Sequence, residues 1–438
     1  MTERRKYYKT INILFTVVLA NAGIIRVLPV YAIALIAVAG AWIYLKRKSS
    51  AGSTARLRML SVGDEELIAF LIALPLTVAA AYALWKTYGL TSPFVIHAVI
   101  AFIVLSIVFW SGIIRTYMTS VQLGIRYRVL GIILGWIFPL NIFLLMKIRR
   151  TVRKEVEAEE ALIARDRKRA DERICDTKYP LLLVHGVFFR DIKGLNYWGR
   201  IPKELEKNGA RIYYGDQQSA DSVMDCGKEI ADRILRITEE TGAEKVNIIA
   251  HSKGGLDSRA AITHFGMAPH VATLTTVNTP HRGCVFAEYL LDRMPEAVRE
   301  QLADAYNSAA HVIGDKEPDF LSAVTDLTAS ACERFNEETP DADGVLYESV
   351  MSYAKHASGS RFPLNMTHEL VKHFDGANDG LVAVDSARWG SDFTLLRPTG
   401  DRGISHGDVI DLNRENIEGF DVREFYVGLV KKLKDRGY

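Results

Sequence analysis

The N-terminal third of the chain consists of long apolar stretches separated by short basic segments. The stretches cover residues 11–25, 27–45, 67–85, 93–114 and 129–146. A helix needs about 20 apolar residues to cross a hydrocarbon core, and three of these stretches are long enough. A cleavable signal peptide would contain a single run of this kind, followed by a cleavage site. The pattern therefore predicts an all-α, multi-span membrane region over residues 1–147.

The positions of lysine and arginine predict the orientation of this region, because cytoplasmic segments carry an excess of both. Basic residues are concentrated before the first stretch and in segments 46–58 and 115–128. The intervening connections are poor in them, with Arg26 in one and Lys86 in the other. This distribution predicts a cytoplasmic N-terminus.

The last apolar stretch, 129–146, leaves two topologies open because it contains Pro139 and Asn141. If it spans the membrane, the basic segment 147–154 lies outside, against the usual charge distribution. If it is re-entrant or interfacial, the rest of the chain is cytoplasmic, and we favour this second interpretation.

Residues 148–177 alternate acidic and basic side chains, which predicts a solvated helical linker. Its basic first turns are suited to anionic lipid headgroups. A helix that is merely soluble and charged explains the same pattern, and the sequence does not separate the two.

Beyond residue 178 the apolar runs become short, as in the strands of a buried parallel sheet. One run ends in Ala250-His251-Ser252-Lys253-Gly254. A serine between small residues, where a strand turns sharply into a helix, is typical of a nucleophile elbow. The usual pattern has glycine at the place of Ala250, a small steric difference. We therefore predict that Ser252 is a catalytic nucleophile.

A nucleophilic serine requires a histidine as base and a carboxylate that orients the histidine. Downstream of Ser252, in the order that this arrangement needs, Asp379 lies in an Asn-Asp-Gly turn and His406 lies in a loop near the C-terminus. We assign Asp379 as the orienting acid and His406 as the general base. Asp375 and Asp385 are the competing acids, and Asp379 could also be only a turn residue.

An oxyanion hole needs two backbone N–H groups directed at the developing negative charge. Lys253, the residue after the nucleophile, is expected to supply one of them. The loop that follows the apolar run 181–184 reads His185-Gly186-Val187, and Val187 is the expected second donor.

From about residue 179 to 430 the chain resembles the bacterial true lipases of the Pseudomonas and Burkholderia type. Besides the elbow, the likeness rests on Asn196-Tyr197-Trp198, on Asp379-Gly380-Leu381-Val382 and on Thr276-Val277-Asn278-Thr279-Pro280-His281-Arg282-Gly283. The Thr-Pro-His-Arg-Gly part of the last segment is the most specific. It implies an α/β-hydrolase fold, a mostly parallel sheet flanked by helices, over residues 178–438. It also implies lipid ester substrates and the roles given above to Ser252, Asp379, His406, Val187 and Lys253. Those lipases are secreted, which favours the opposite side of the membrane.

The resemblance further implies a lid and raises the question of a calcium ion. The helical insertion 284–340 corresponds to the lid. One face of its helices is predicted to be apolar and consists of Leu290, Leu291, Met294 and Val298. This apolar stripe fits a lid and packing on the core equally well. The family's calcium site includes an aspartate two residues after the catalytic histidine, which Asp408 matches. Leu412 replaces the family's glutamine, and no cofactor is required. Asp408 could instead be a helix N-cap.

Composition adds little to this interpretation. The formal net charge is +2, and the basic residues flank apolar stretches, so nothing indicates a nucleic-acid partner. The sequence predicts a membrane-anchored serine carboxylester hydrolase that cleaves acylglycerols or related lipid esters. A phospholipase, thioesterase or acyltransferase with the same triad, and a non-catalytic membrane interaction module, remain the alternatives.

Overall fold

The computed structural model describes residues 3–48, 54–187, 197–312, 315, 318–357, 364–397 and 400–438. The chain divides into two compact units, Met1–Arg167 and Lys168–Tyr438. The division falls within the predicted linker, 148–177, most of which continues the last helix of the first unit.

The described part of the first unit is helical. Its α-helices are α1 (Glu3–Ala20), α2 (Tyr31–Lys48), α3 (Ala55–Tyr88), α4 (Ser92–Thr119), α5 (Gly124–Leu134) and α6 (Leu140–Arg169). Among the described residues, α3 and α4 are the two helices long and apolar enough to cross a membrane. The predicted stretch 27–45 falls on α2, of which Tyr31–Tyr44 is apolar.

The apolar stretch 129–146 does not form one helix. Helix α5 ends at Leu134, and α6 begins at Leu140, directly after Pro139. Proline has no N–H to donate to a preceding turn and clashes with that turn, so a helix starts after it more readily than it passes through it. The break lies where Pro139 and Asn141 led us to doubt a simple span.

The second unit is built on a parallel sheet of six described strands. They are β1 (Leu181–Val184), β2 (Ile212–Tyr214), β3 (Val246–His251), β4 (Val271–Val277), β5 (Leu346–Met351) and β6 (Asp392–Leu395). The order across the sheet is β2-β1-β3-β4-β5-β6, and every pairing is parallel.

Helices follow the strands along the chain. They are α7 (Ile201–Lys207), α8 (Val223–Thr241), α9 (Gly254–Thr263), α10 (Val285–Arg293), α11 (Glu296–Val312), α12 (Phe320–Thr325), α13 (Ala329–Glu338), α14 (Leu364–Asp375) and α15 (Val422–Asp435).

The side chains of strand β1 show why the sheet is covered on both faces. Leu181 and Leu183 pack in one hydrophobic cluster, whereas Leu182 and Val184 pack in another. Because side chains alternate across a strand, an uninterrupted apolar run places one cluster on each face.

A parallel sheet brings the carboxyl ends of its strands to one edge. The residues that follow β1, β3 and β4 at this edge are His185, Ser252 and Asn278. The topology therefore brings together the loops in which the candidate site residues lie. In open α/β sheets, ligands bind at this edge.

Candidate active site

Ser252 occupies a strained backbone conformation between β3 and α9. Its φ is 55°, in the left-handed region that a non-glycine residue rarely adopts. Its N–H donates to the Val277 carbonyl at 3.0 Å, which holds the turn against the neighbouring strand. A Cβ at Gly254 would lie 2.3 Å from the His185 carbonyl oxygen, so only glycine allows the helix to start this close to β1.

Asp379 and His406 are directly hydrogen-bonded. His406 Nδ1 lies 2.6 Å from Asp379 Oδ2, and the His406 backbone N–H donates to the Asp379 carbonyl at 2.9 Å. The Asp379 side chain is fully buried, and its Oδ1 accepts the N–H groups of Leu381 and Val382. An ionised carboxylate only accepts, so Nδ1 carries the proton and Nε2 is left with its lone pair.

His406 also lies beside the elbow. Its ring centroid is 4.4 Å from that of His251, the residue before Ser252. Among the described residues, Asp379 supplies the only carboxylate bonded to His406. The competing Asp375 instead accepts the N–H groups of Val285 and Phe286 at the start of α10. The three residues predicted as a triad thus come from loops at one edge of the sheet.

The two predicted oxyanion donors are described to different extents. No acceptor among the described residues receives the Lys253 backbone N–H, which lies at the start of α9. Val187 is half-buried in the turn after β1. The residues that follow it, including Asn196 of the predicted Asn-Tyr-Trp motif, lie outside the described part of the chain.

Asn278 is a site residue to which the sequence analysis gave no role of its own. It follows β4 with φ 50°, and its Nδ2 donates to Asp379 Oδ2 at 2.5 Å and to Ser352 Oγ at 2.7 Å. Its Oδ1 accepts the Ser352 N–H at 3.0 Å. Asn278 therefore fixes the same carboxylate oxygen that His406 contacts. The available signal was an asparagine directly after a buried strand, where asparagine tolerates the left-handed region.

Tyr197 joins the loop after β1 to the elbow. Its Oη accepts the Gly186 N–H at 3.0 Å and lies 2.6 Å from His251 Nδ1. Burial, reinforced by the charge of nearby His406, holds the pKa of His251 well below its usual range. His251 therefore stays neutral and adds no positive charge beside His406.

Lys253 has a buried side chain directed away from solvent. Its Nζ lies 2.7 Å from Asp257 Oδ1, one turn further along α9, and donates to the Ser222 carbonyl at 3.3 Å. Burial raises the pKa of Asp257 to about 7, although the Lys253 charge opposes the shift. This pair fixes the side chain of the residue whose backbone N–H is the predicted oxyanion donor.

The surroundings of Asp408 do not fit a calcium ion. Its Oδ1 lies 2.8 Å from Arg402 Nη2, and its Oδ2 accepts the N–H and the hydroxyl of Ser405. Calcium takes six to eight oxygen ligands, and a guanidinium on the same carboxylate repels a cation. The residue does not begin a helix either, because residues 407–413 form turns.

The predicted lid comprises α10 to α13, and its apolar stripe is not packed wholly in the core. Leu290 is 38% exposed and Val298 49%, whereas Leu291 and Met294 are half-buried. Tyr289, on the same helix as Leu290, is exposed as well. An apolar face in contact with solvent fits the lid interpretation better than the core-packing one.

Comparisons with known proteins relate this unit to lipases. The family model of the PGAP1-like alpha/beta domain matches residues 214–332. Over 179 residues the chain is 31% identical to a triacylglycerol lipase of Pseudarthrobacter phenanthrenivorans, covering 38% of this chain and 55% of that protein. A triacylglycerol lipase of Burkholderia plantarii is also 31% identical over 179 residues, covering 38% of this chain and 49% of that protein. The chain thus spans about half the length of these two relatives.

Longer matches have lower identity. The triacylglycerol lipase of Vibrio cholerae is 29% identical over 288 residues, covering 60% of this chain and 89% of that protein. The solved structure of the mature Bacillus licheniformis lipase BlEst2 is 24% identical, covers 58% of this chain and 92% of that chain, and has a TM-score of 0.43. The predicted resemblance is confirmed: the second unit is an α/β-hydrolase domain related to the bacterial triacylglycerol lipases.

Proposed function

We propose that the chain is a serine carboxylester hydrolase that cleaves lipid esters, with acylglycerols as the favoured class. The observation that carries this proposal is the 2.6 Å contact between Asp379 and His406, next to the strained turn that holds Ser252. A binding module would need neither a fully buried carboxylate aligned on a histidine nor a serine held at positive φ.

In the first half of the reaction, His406 Nε2 takes the hydroxyl proton of Ser252 as Oγ attacks the ester carbonyl. The carbonyl oxygen becomes an oxyanion, which the backbone N–H groups of Lys253 and Val187 stabilise. Asp379 holds the imidazolium in place. His406 then gives its proton to the leaving alcohol as the carbon–oxygen bond breaks, and an acyl-serine remains.

In the second half, water repeats these steps on the acyl-serine. His406 takes a proton from water, the hydroxide attacks the acyl carbon, and the same donors hold the second oxyanion. The proton returns to Ser252 Oγ as the carboxylic acid leaves. No metal or cofactor is needed for any step.

Lipid substrates are favoured by the relatives and by the surface of the second unit. The two relatives with 31% identity are named triacylglycerol lipases. The exposed apolar side chains of α10 and α11 provide a face suited to a lipid surface. The apolar helices of the first unit would keep the enzyme at the membrane, where such substrates are concentrated.

We further propose that α3 and α4 anchor the chain and that the hydrolase lies in the cytoplasm. Three ion pairs within the first unit support this topology. Arg149 pairs with Asp64 at 2.8 Å, Arg115 with Glu66 at 3.3 Å, and Arg56 with Glu155 at 2.6 Å. Two of them join the first third of α3 to α6, and the Arg115–Glu66 pair joins the end of α4 to the same part of α3.

The other contacts of Glu155 favour the topology in which residues 124–146 do not cross the membrane. Besides Arg56, Glu155 accepts hydrogen bonds from Ser120 Oγ at 2.6 Å and from the Val121 N–H at 3.0 Å, directly after α4. The chain therefore leaves α4 and returns in α6 at the same end of the bundle, so residues 124–146 do not cross. That end carries the basic segments, and the opposite end carries Arg26 and Lys86. The charge distribution then favours a cytoplasmic hydrolase.

Activity is tested with a panel of acylglycerols, a phospholipid and an acyl thioester, using the full chain in detergent micelles. Wild type should hydrolyse acylglycerols, and Ser252→Ala should lose this activity. Ser258→Ala is the matched control, since its hydroxyl is buried within α9 and donates to the Gly254 carbonyl. Equal activity of wild type and Ser252→Ala contradicts the proposal, and a preference for the phospholipid or the thioester selects a different substrate class.

The topology is tested separately by protease digestion of a C-terminal tag. In intact cells the tag should be protected, and in inverted membrane vesicles it should be cleaved. Cleavage in intact cells contradicts a cytoplasmic hydrolase and leaves the catalytic proposal unaffected.

A further inference from the structure

The residue after the nucleophile has a charged side chain in the interior of the second unit. Lys253 is 1% exposed and Asp257 2%. Lysine and aspartate are almost never fully buried unless they are paired, because removing a charge from water is costly. The proposed hydrolysis uses the backbone N–H of Lys253 and not its side chain, so the buried charge needs an explanation of its own.

The Lys253 ammonium connects the starts of two helices. Its Nζ lies 2.7 Å from Asp257 Oδ1 on α9 and donates to the Ser222 carbonyl at 3.3 Å. Ser222 is the N-cap of α8, and its carbonyl also accepts the Cys226 N–H at 3.1 Å. A side chain that begins at the nucleophile turn therefore ends on the first turn of a different helix.

Helices α8 and α9 pack closely at this place. A Cβ at Gly227 would lie 2.8 Å from Ala260 Cβ and 3.1 Å from the Asp257 carbonyl oxygen. The packing of the two helices thus fixes the position of Ser222 relative to α9. A lysine side chain bound to Ser222 restrains the backbone of Lys253 in turn.

The peptide that carries the predicted oxyanion donor lies between two restrained residues. On one side, the Ser252 N–H donates to the Val277 carbonyl at 3.0 Å, and the Ser252 carbonyl accepts the Thr279 hydroxyl at 2.8 Å. On the other side, Lys253 is held through its ammonium. A backbone N–H stabilises an oxyanion only when it points at the oxygen, and a displacement of about 1 Å can reduce a rate about 100-fold.

The contribution of this ion pair to stability does not explain its presence. Burial raises the pKa of Asp257 to about 7, although the charge of Lys253 opposes the shift, so the cost of burial exceeds the attraction. Replacing a buried ion pair by apolar side chains of similar size is often neutral or stabilising. Local features that cost stability are expected mainly at functional sites.

We propose that Asp257 and the Lys253 ammonium are positioning groups that hold the Lys253 N–H in the oxyanion hole. Asp257 neutralises the ammonium and directs it, and the Ser222 carbonyl fixes its end on α8. Neither charged group touches the substrate. The proposal rests on the catalytic part of the proposed function and is independent of the membrane topology.

The test replaces the pair by apolar side chains of similar length in the full chain. Lys253→Met combined with Asp257→Leu leaves no buried charge at this place, so the thermal stability should equal or exceed that of the wild type. The kcat on a soluble short-chain ester should nevertheless fall about 10- to 100-fold, because a displaced donor retains part of its effect. KM should change little, since the oxyanion forms only in the reaction.

Arg259→Met is the matched control, because it removes another buried cation from α9. Arg259 donates to Asn336 Oδ1 and to the Thr339 carbonyl, both at 2.7 Å, so it is bound to the end of α13 and not to α8. This variant should lose stability and keep the kcat of the wild type. It shows how far a less stable α9 lowers kcat by itself.

Two results would overturn the proposal. A double variant with the stability and the kcat of the wild type would mean that the pair has no role in turnover. Equal losses of kcat in the double variant and in Arg259→Met would mean that the pair only supports the fold. If the double variant is less stable than the wild type, a loss of kcat that exceeds the loss in Arg259→Met still supports positioning.

Ser252→Ala, measured with the same ester, separates this proposal from the proposed function. If Ser252→Ala is as active as the wild type, the proposed function and the positioning role fail together. If Ser252→Ala is inactive while the double variant keeps the kcat of the wild type, only the positioning role fails.

Discussion

The two units use apolar sequence in opposite ways. In the second unit, Leu181 and Val184 of β1 are fully buried between two layers of helices. In the first unit, long apolar helices expose side chains such as Phe102 and Ile107, while Glu155 and Asp64 are buried in ion pairs. A run of four apolar residues needs a protein core around it, whereas a helix of 28 or 34 residues is long enough to be surrounded by lipid. The length of an apolar run, more than its composition, separates these two environments.

The largest expected effect is in the second unit, where the buried carboxylate of Asp379 contacts His406, the proposed base. Asp379→Asn should reduce kcat on acylglycerols by about 10⁴-fold, because the amide favours the wrong tautomer of His406. Vesicle flotation, which depends on the first unit, should not change. Asp375→Asn is the matched control, since Asp375 binds the start of α10 instead. A similar loss in both variants would remove Asp379 from the proposed triad.

Asn278 should come next, because it contacts the carboxylate and not the histidine. Asn278→Ala removes a 2.5 Å hydrogen bond to Asp379 Oδ2. Hydrogen bonds to charged groups contribute about 1.5–3 kcal/mol, so kcat should fall roughly 10- to 150-fold. KM should change little. A change confined to thermal stability would make Asn278 a structural residue only.

Two buried histidines should make the stability of the second unit depend on pH. Burial holds the pKa of both His251 and His281 well below the usual 6.5. At these two histidines the unfolded chain therefore binds more protons than the folded chain below pH 6.5, which lowers the free energy of unfolding as the pH falls. The raised pKa of Asp257, about 7, acts in the opposite direction. Each histidine contributes a slope of up to about 1.4 kcal/mol per pH unit. Denaturant titrations between pH 7 and 5 measure how the free energy of unfolding depends on pH. His281→Gln should reduce this dependence. An unchanged dependence would contradict the contribution assigned to His281.

The smallest effect on catalysis should come from the first unit. Glu155→Gln weakens the ion pair with Arg56, whose side chain is 36% exposed, so the loss is reduced by solvent screening to about 1 kcal/mol. The thermal stability of the first unit should decrease while kcat on a soluble short-chain ester stays unchanged. Glu157→Gln is the matched control, because Glu157 is 64% exposed and pairs with Arg153 on the same helix. A fall in kcat for Glu155→Gln alone would show that the two units do not act independently.

Local sequence patterns predicted part of this arrangement. Small residues around Ser252 predicted the tight turn, because helix and strand approach too closely for larger side chains. Chain order selected Asp379 and His406. Pro139 explained why the stretch 129–146 is interrupted. Each of these predictions depends on properties of a few consecutive residues or on order along the chain.

The remaining features depend on partners that are distant in sequence. Asn278 and Asp379 are separated by 101 positions, and Tyr197 and His251 by 54. Glu155 and Arg56 are separated by 99 positions. A hydrogen bond over such distances is determined by how the strands and helices are arranged, so no local pattern shows it. The pairing of Lys253 with Asp257 spans only four residues, but its burial depends on α8 and could not be read from the spacing.

The central claim is that Ser252 is an activated nucleophile, and covalent labelling tests it most directly. The full chain is treated with a fluorophosphonate and digested, and the modified peptide is identified by mass spectrometry. The account predicts a single adduct on Ser252 that is absent in Ser252→Ala, retained in Ser258→Ala and formed far more slowly in Asp379→Asn. An adduct on another serine, or no adduct in detergent or in vesicles, would contradict it.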